Sequence, residues 1–353
     1  MSVDDLTGHV GEWLRGTGPM SDIVISSRIR LARNIVGYPF LSRASGDEKR
    51  EIYRALGDAL SSAGFGSNSF FVDIENISDV DRQVLVERHL ISRQHAEGEG
   101  SRGVSVSLNE THALMINEED HLRMQVLKSG LQLETLWNDI SIIDDRLGSE
   151  IEFAFDERLG YLTACPTNVG TGLRVSVMLH LPALKITGEI EKVMRAAKDL
   201  KLAVRGLFGE GTDAIGDFYQ VSNQVTLGIS EEEIIDMFSG QIIPQIVDYE
   251  RAAREALSDQ RSVQLDDKVW RAYGILENAR AMASEETMFF LSHLRMGVSM
   301  GRFNQLDIGT INELFLQIQP AHLQKRNGGK LSGEQRSIAR ANYLRQRLGH
   351  NNN

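Results

Sequence analysis

Only one cysteine, Cys165, occurs among the 353 residues, so an intrachain disulfide is excluded and the thiol is free. That count is compatible with a reducing compartment. The sequence also lacks a run of about 18 uncharged apolar residues, the length that a membrane helix needs. The N-terminal residues, among them Asp4 and Glu12, show no basic segment followed by an apolar one, which argues against a signal peptide. We therefore expect a cytoplasmic protein that does not contact a membrane.

An excess of basic residues is also missing, because the formal net charge is -11. Proteins that coat nucleic acid usually carry a basic domain or stripe, so direct nucleic-acid binding is not expected. An acidic surface can attract arginine-rich or lysine-rich polypeptides over a long range, but many proteins are acidic only because charge keeps them soluble. Charge alone therefore names no substrate.

Alternating apolar residues predict β-hairpins in the N-terminal two thirds of the chain. One hairpin is expected between residues 104–108 and 112–116, and another between 218–222 and 225–227. Adjacent hairpins imply antiparallel pairing. Helical spacing of Ile52, Leu56 and Leu60, and of the segment 189–202, predicts helices that cover one face of this sheet.

The composition changes near Pro244, after which nearly everything is typical of helix. Val269, Tyr273, Leu276 and Ala279 keep helical spacing, and two capping-box patterns, Thr310 to Glu313 and Ser332 to Gln335, predict the starts of later helices. The sequence thus predicts the α+β class: an antiparallel sheet flanked by helices, followed by an all-α C-terminal domain. We place the domains at 1–245 and 246–353.

Arg28 and Arg30 are two residues apart in a predicted strand, so both guanidinium groups should extend from one face. Arginine binds phosphate oxygens with two parallel hydrogen bonds and stays charged, so the pair suits a polyphosphate. A bare pair of this kind is also common on solvated surfaces. The residues alone leave both interpretations open.

Three acids and an arginine are close together in the segment 117–123, which reads Asn-Glu-Glu-Asp-His-Leu-Arg. If a helix begins here, Glu119 and Arg123 share a face and can form an ion pair. An acidic helix N-terminus with a local ion pair would explain the same residues without any function. The neighbouring segments decide between the two interpretations.

The deciding segment is 165–174, in which the single cysteine precedes Pro-Thr-Asn, a loop with two glycines and Arg174. Together with Ser-Ser-Arg-Ile-Arg at 26–30 and the acidic segment, it resembles the phosphagen kinases, which move phosphate between ATP and a guanidine. A fourth segment, 205–210, agrees at the family's spacing. The resemblance covers roughly residues 21 to 240 and implies a phosphagen-kinase-like catalytic domain.

The resemblance assigns five arginines to the phosphates of ATP and leaves Mg2+ to be held largely by nucleotide and water, so no protein ligand for the metal is assigned. Phosphoryl transfer depends on in-line positioning and on neutralising charge, which arginines and Mg2+ supply. The phosphate-binding arginines implied in this way are Arg28, Arg30, Arg123, Arg174 and Arg205.

The acceptor guanidinium has a pKa far above physiological pH, so as a cation it has no free nitrogen lone pair with which to attack phosphorus. The resemblance gives the task of orienting and deprotonating it to Glu119, with Glu210 as a second carboxylate. Cys165 is expected to contact the guanidine as a thiolate and not as a covalent nucleophile. The glycines from Gly206 to Gly216 predict a loop that closes over the substrates, and a plain surface loop is the alternative.

Kinases of small guanidines carry a helical domain of about a hundred residues before the Ser-Ser-Arg segment, and only about twenty residues precede it here. The layout resembles the branch of the family that phosphorylates arginine in proteins. In that branch the C-terminal domain assists dimerisation and binds phosphoarginine through an Arg-Asp-x-x-Arg-Ala pattern. This sequence has Arg336 and Arg340, but Ser337 replaces the aspartate, so two solvated arginines are the alternative.

We therefore expect an ATP- and Mg2+-dependent kinase of protein arginine that acts on proteins with exposed arginines, forms a homodimer and has an activator protein. The resemblance implies that it tags proteins for a Clp ATPase and protease or alters a DNA-binding stress regulator. Two alternatives remain: a kinase of small guanidines, and an adaptor with weak catalysis that binds phosphoarginine proteins.

Overall fold

An eight-stranded antiparallel sheet organises the computed structural model, which describes residues 3–65, 68–206 and 215–349. Its strand order is β2-β3-β4-β5-β1-β8-β10-β9, and β6 and β7 form a separate small hairpin. The strands in the described residues are β1 Val24–Arg33, β2 Ser69–Asp73, β3 Gly103–Ser107, β4 His112–Ile116, β5 Leu122–Ser129, β6 Phe155–Asp156, β7 Gly160–Tyr161, β8 Leu173–His180, β9 Leu202–Arg205 and β10 Phe218–Asn223.

The first predicted hairpin is confirmed, because β3 pairs with β4 in antiparallel register. The second prediction was wrong, since β10 pairs with β8 and β9 and the chain leaves the sheet after Asn223. The Thr226 hydroxyl donates to the carbonyl oxygens of Thr167 and Val169 at 2.9 and 2.8 Å. These contacts hold residues 225–227 against a distant loop and prevent a return strand.

Helices cover the sheet and form the C-terminal part of the chain. The predicted helix at residues 52–60 is confirmed by α2, which begins with a complete capping box at Ser45. The segment predicted as one helix over 189–202 is α7, and its last residue, Leu202, begins β9 instead. The helices are α1 Val3–Leu6, α2 Gly46–Ser62, α3 Asp79–Glu87, α4 Arg93–Glu97, α5 Leu133–Glu150, α6 Pro182–Thr187, α7 Ile190–Asp199, α8 Glu231–Met237, α9 Ile243–Gln260, α10 Ser262–Asn278, α11 Ser284–Ser299, α12 Ile308–Gln317, α13 Pro320–Arg326 and α14 Gly333–Leu348.

The helical C-terminal region follows the predicted pattern. Val269 and Leu276 are buried on α10, and the capping box at Ser332 is complete. The capping box predicted at Thr310 was wrong, because Asp307 is the N-cap and accepts hydrogen bonds from both the backbone N–H and the hydroxyl of Thr310. An aspartate at this distance satisfies the free N–H groups of the first turn.

Apolar packing is continuous from the sheet into these helices. α5 packs on β1 and β5, α6 contacts α9, and one cluster of buried side chains includes residues from both regions. A buried hydrogen bond of 2.9 Å also joins His180 at the end of β8 to Ser292 on α11. The domain division at residue 245 stays a prediction. Among the described residues, none of the helices is both long and apolar enough to span a bilayer.

Candidate active site

Strand register brings the predicted arginines to one face of the sheet. Arg30 on β1 lies directly opposite Arg174 on β8, and Ala32 lies opposite Arg123 on β5. Because alternate residues of a strand face the same side, Arg28 extends from this face as well. The intervening residues of β1, such as Ile29 and Leu31, are buried in the core on the other face.

Strand β10 extends this face towards Arg205. Gln220 lies opposite Arg205 on β9, and its side-chain oxygen accepts a hydrogen bond of 2.9 Å from Nη2 of Arg28. The hydroxyl of Ser222 accepts a bond of 3.3 Å from Nη2 of Arg174. Both acceptors are neutral, so they orient the guanidinium groups without cancelling their charge.

A cavity of about 720 Å³ opens over this face. Of the described residues, five with cationic side chains and one with a carboxylate, Glu119, line it, although the whole chain has a net charge of -11. Concentrated positive charge in a cleft attracts polyanions. The cationic residues that line the cavity are Arg30, Arg123, Arg174, Lys201 and Arg205.

Burial and the crowding of positive charge lower the pKa of two arginines on this face. Burial, and after it the charges of neighbouring arginines, lowers the pKa of Arg28 to about 10. The same causes hold the pKa of Arg30 well below its usual range. The Nε atom of Arg30 is buried and donates to none of the described residues. A bound anion would relieve the repulsion and supply the missing acceptor.

Arg28 itself faces a small pocket further along the same face. Trp13, Leu127 and Met178 line this pocket together with polar side chains that include His89, so its lining is mixed. Burial lowers the pKa of His89 to about 3, and therefore the imidazole is neutral at physiological pH. The face thus combines a cationic cavity with a small neighbouring pocket of mixed polar and apolar lining.

The acidic segment forms the turn between β4 and β5 and not the start of a helix. Asn117 has a positive φ of 59°, which reverses the chain and places Glu119 above the start of β5. The predicted ion pair forms all the same, with 2.7 Å between Nη2 of Arg123 and the Glu119 carboxylate. The tight turn therefore brings Glu119 and Arg123 together, whereas we had expected the spacing of a helix to do so.

The three acids of this turn differ in their surroundings. Glu118 binds Nη1 of Arg123 at 2.7 Å and is almost fully buried, whereas the Glu119 side chain is 32% exposed and faces the cavity. Asp120 is buried and accepts bonds of 2.6 Å from Asn34 and from the backbone N–H of Ala164. Glu118 and Asp120 therefore hold the turn, while Glu119 remains accessible.

Cys165 lines the same cavity as Glu119. Its thiol lies 3.0 Å from the hydroxyl of Thr167, within the short 3₁₀ turn that residues 166–168 form. The bond from Ala164 to Asp120 ties this turn to the acidic one. One end of the cavity thus presents a carboxylate and a thiol, and the sheet presents arginines.

Comparisons with known proteins agree with this geometry. Residues 51–253 match the family described as ATP:guanido phosphotransferase, C-terminal catalytic domain. The chain belongs to this family. Residues 262–353 match the Protein-arginine kinase McsB C-terminal domain.

Relatives extend over nearly the full chain. A protein of Halothermothrix orenii named Protein-arginine kinase is 46% identical over 349 residues, which cover 99% of each chain. One of the same name from Desulforamulus reducens is 47% identical over 348 residues, 98% of this chain and 97% of the relative. A crystal structure of lombricine kinase superposes with a TM-score of 0.59 and 27% identity, covering 67% of this chain and 68% of that one.

Within this family framework, the structure brings together most of the predicted site residues. Arg30, Arg123, Arg174 and Arg205 line the cavity with Glu119 and Cys165, and Arg28 lies beside it. Glu210 lies outside the described residues. Its proposed role, like those of the others, stays a prediction.

Sequence reasoning missed three residues that shape the site: Lys201, Gln220 and Thr226. Lys201 lies in the turn between α7 and β9 and lines the cavity, with no sequence pattern to mark it. Gln220 follows strand alternation from Ser222, so its position on the site face was predictable, but its partner Arg28 was not. Thr226 fell in the segment that we assigned to a return strand.

The proposed phosphoarginine pair lies on α14, away from this cavity in the fold. Nη1 of Arg336 donates to a backbone carbonyl at 2.8 Å. Arg340 is buried, and its Nε and Nη1 donate to two backbone carbonyl oxygens at 3.0 and 2.8 Å. Burial lowers the pKa of Arg340. Phosphoarginine docking at this pair stays a prediction.

A protein-only metal site is not found in the parts of the chain that the structure describes, where no group of three His, Cys, Asp or Glu side chains could hold an ion. The cationic cavity instead suits a metal that arrives with the phosphates of its nucleotide.

Proposed function

We propose that this chain transfers the γ-phosphoryl group of MgATP to arginine side chains of proteins. The observation that carries the proposal is the cavity itself, in which cationic side chains face a carboxylate and a thiol. The full-length similarity to relatives named Protein-arginine kinase supports the choice of acceptor.

Arg28, Arg30, Arg123, Arg174 and Arg205 bind the phosphate oxygens in this proposal. Their positions on strands of one sheet hold the phosphates rigidly, which favours in-line transfer because no reorganisation is needed at the moment of reaction. Mg2+ adds charge neutralisation at the phosphates when the nucleotide is bound.

Glu119 acts at the acceptor end. Its carboxylate is accessible, and the buried Glu118 continues to bind Arg123 when Glu119 turns to the substrate. Glu119 then accepts a proton from the guanidinium and frees a nitrogen lone pair for attack on phosphorus. Cys165 contributes a polarisable group beside the guanidine, and Glu210 binds its other edge.

Several biological roles follow from the family and form part of the proposal. We infer that the phosphorylated proteins are delivered to a Clp ATPase and its protease, or that a stress repressor is altered. We further infer a cytoplasmic location, a homodimer whose C-terminal helices assist pairing, and an activator protein. Each needs its own measurement, beginning with the mass of the particle in solution.

The deciding experiment supplies labelled MgATP with an unfolded arginine-containing protein and, in parallel, with free arginine. Product that is labile in acid but stable in alkali indicates an N–P bond. Label on the protein alone, lost in Glu119→Ala, is the expected result. Rapid labelling of free arginine would identify a small-guanidine kinase instead, and label on neither, with phosphoarginine binding retained, would identify the adaptor.

A further inference from the structure

Asp217, immediately before β10, has a backbone conformation that is unfavourable for a residue with a side chain. Its φ is 59°, in the left-handed region that residues with a Cβ rarely adopt. Gly216 is also left-handed, with a φ of 68°, and an added Cβ there would lie 3.1 Å from the carbonyl oxygen of Met288 on α11. Conformations of this kind persist only when surrounding contacts hold them, and they are concentrated at functional sites. Contacts elsewhere in the fold must therefore stabilise Asp217.

A helix of the C-terminal region supplies one of these contacts. The Asp217 side chain is 5% exposed, and its carboxylate accepts bonds of 2.7 Å from the hydroxyl of Ser292 on α11 and from Nζ of Lys185 on α6. The backbone carbonyl of Asp217 accepts a third bond, of 2.9 Å, from the N–H of Leu181. α11 lies within the segment that matches the McsB C-terminal domain. Both the side chain and the backbone of Asp217 are thus held in place.

Ser292 is itself held in one orientation. A hydroxyl has one hydrogen, which Ser292 donates to Asp217, so its oxygen accepts the bond of 2.9 Å from Nε2–H of His180. Nδ1 of His180 then accepts from Nη1 of Arg295 at 3.0 Å. Arg295 is fully buried and also donates to the Asn312 side chain and to two backbone carbonyls. These hydrogen bonds run in one direction from Arg295 to Asp217, so the network has a single arrangement.

The position of Asp217 affects where Gln220 lies on the site face. Asp217 is three residues before Gln220, whose side-chain oxygen accepts the bond of 2.9 Å from Nη2 of Arg28. Gln220 is 5% exposed and lies opposite Arg205 on β9. Because successive residues of a strand are regularly spaced, a displacement of Asp217 is passed on to Gln220 and moves the acceptor for Arg28. A misplacement of about 1 Å in a group that positions a ligand can reduce activity by up to about 100-fold.

We infer that Asp217 and Ser292 are positioning residues for nucleotide binding, because they fix the start of β10 so that Gln220 can orient Arg28. The inference rests on the proposed function, in which Arg28 binds a phosphate of ATP. Neither Asp217 nor Ser292 lines the cavity or the pocket beside Arg28, so both act through Gln220. Helix α11 thereby contributes to the active site, a role that no sequence motif assigned to it.

A double-mutant cycle on MgATP binding tests this inference. Ser292→Ala should raise the Kd for MgATP about tenfold, and Gln220→Ala should raise it as well. If Ser292 acts through Gln220, the double variant should bind MgATP within about twofold of Gln220→Ala alone. Ser299→Ala is the matched control, because the hydroxyl of this half-buried serine on the same helix bonds to Arg254 and to a backbone carbonyl of α11. The control should bind MgATP like the wild type.

A conservative variant separates positioning from folding. Asp217→Asn keeps an acceptor for Ser292 and tolerates the left-handed backbone, so its Kd should lie closer to the wild-type value than that of Asp217→Ala. The same titrations give the fraction of chains that bind MgATP. Partial unfolding would lower that fraction and leave the Kd of the folded molecules unchanged, whereas misplacement of Arg28 raises the Kd while every chain still binds.

Additive effects in the cycle, or a Kd of Ser292→Ala equal to that of the wild type, would overturn the inference. A smaller binding fraction with an unchanged Kd would do the same, because it indicates a purely structural role. Phosphoryl transfer from labelled MgATP to an unfolded protein is measured in parallel. Wild-type protein that binds MgATP but transfers no label would refute the kinase, while the cycle still decides the role of Ser292. Normal transfer with additive effects would support the kinase and refute the positioning role.

Discussion

Replacing Glu119 by glutamine should separate catalysis from nucleotide binding. Arg123 is bound by two carboxylates at 2.7 Å each, and the buried Glu118 remains when Glu119 is neutralised. The Arg123 guanidinium therefore keeps its orientation, and the cavity becomes more positive by one charge. Loss of a positioned base typically costs about 100- to 10,000-fold in rate. We expect kcat to fall within that range while the Kd for MgATP is unchanged or lower.

The assay pairs initial rates of label transfer to an unfolded protein with direct measurement of MgATP binding. Glu118→Gln is the matched control, because it removes a charge of the same sign one residue away. Since Glu118 is the buried partner of Arg123, this variant should weaken MgATP binding and lower the melting temperature. Transfer by Glu119→Gln within about threefold of the wild-type rate would refute the assignment of the base. So would a loss of MgATP binding as large as the loss of rate.

Four further outcomes are expected. Alkylation of Cys165 should reduce turnover, and MgATP with a peptide substrate should slow the modification. Gly170→Ala should lower both stability and transfer, since the new methyl group would overlap the Thr226 carbonyl behind the Cys165 loop; normal activity would contradict this packing. Arg88→Ala should lower the free energy of unfolding by about 3–5 kcal/mol, because the fully buried carboxylate of Glu110 loses its ion pair. Arg271→Ala, which removes an exposed ion pair, should lower it by less than about 1 kcal/mol. Acid should destabilise the protein below about pH 6.5, because a histidine whose pKa is lowered in the folded state takes up its proton only on unfolding. The free energy of unfolding is therefore at its full value above that pH and falls below it, with a slope of up to about 1.4 kcal/mol per pH unit for each such histidine. A free energy of unfolding from chemical denaturation that stays constant between about pH 6.5 and 5 would refute this. The histidines whose pKa burial lowers are His89, His95, His112, His121, His180, His293 and His322.

Local patterns predicted much of the fold. The alternation around Arg28 and Arg30 correctly placed both on one face of a strand, because the side-chain period of a strand is set by backbone geometry alone. Helical spacing located α2 and α10 for the same reason. Where local patterns failed, distant partners decided the outcome, as when Thr226 bonded to the Cys165 loop and the expected return strand did not form.

In the candidate site, too, local sequence patterns predicted some features and contacts between distant residues decided others. Sequence motifs named the arginines, Glu119 and Cys165 in advance, and the comparisons established the family to which those motifs belong. The resemblance selected Glu119 and not its neighbour Glu118, but it gave no physical reason for that choice. Burial makes the distinction, with Glu118 enclosed against Arg123 and Ser92 and Glu119 open to the cavity.

By itself, the sequence determined the inventory of the site: which residue types are present, which strand face carries them and which chemistry they suit. Only the tertiary structure decided the register that sets Arg30 against Arg174 and the presence of Lys201 in the cavity. The physical reason is the distance along the chain over which each effect acts. Backbone periodicity acts over a few residues. The pairing of Arg30 with Arg174 and the hydrogen bond from Arg28 to Gln220 join residues far apart in the chain, the latter 192 positions apart, and they form only when the whole core packs.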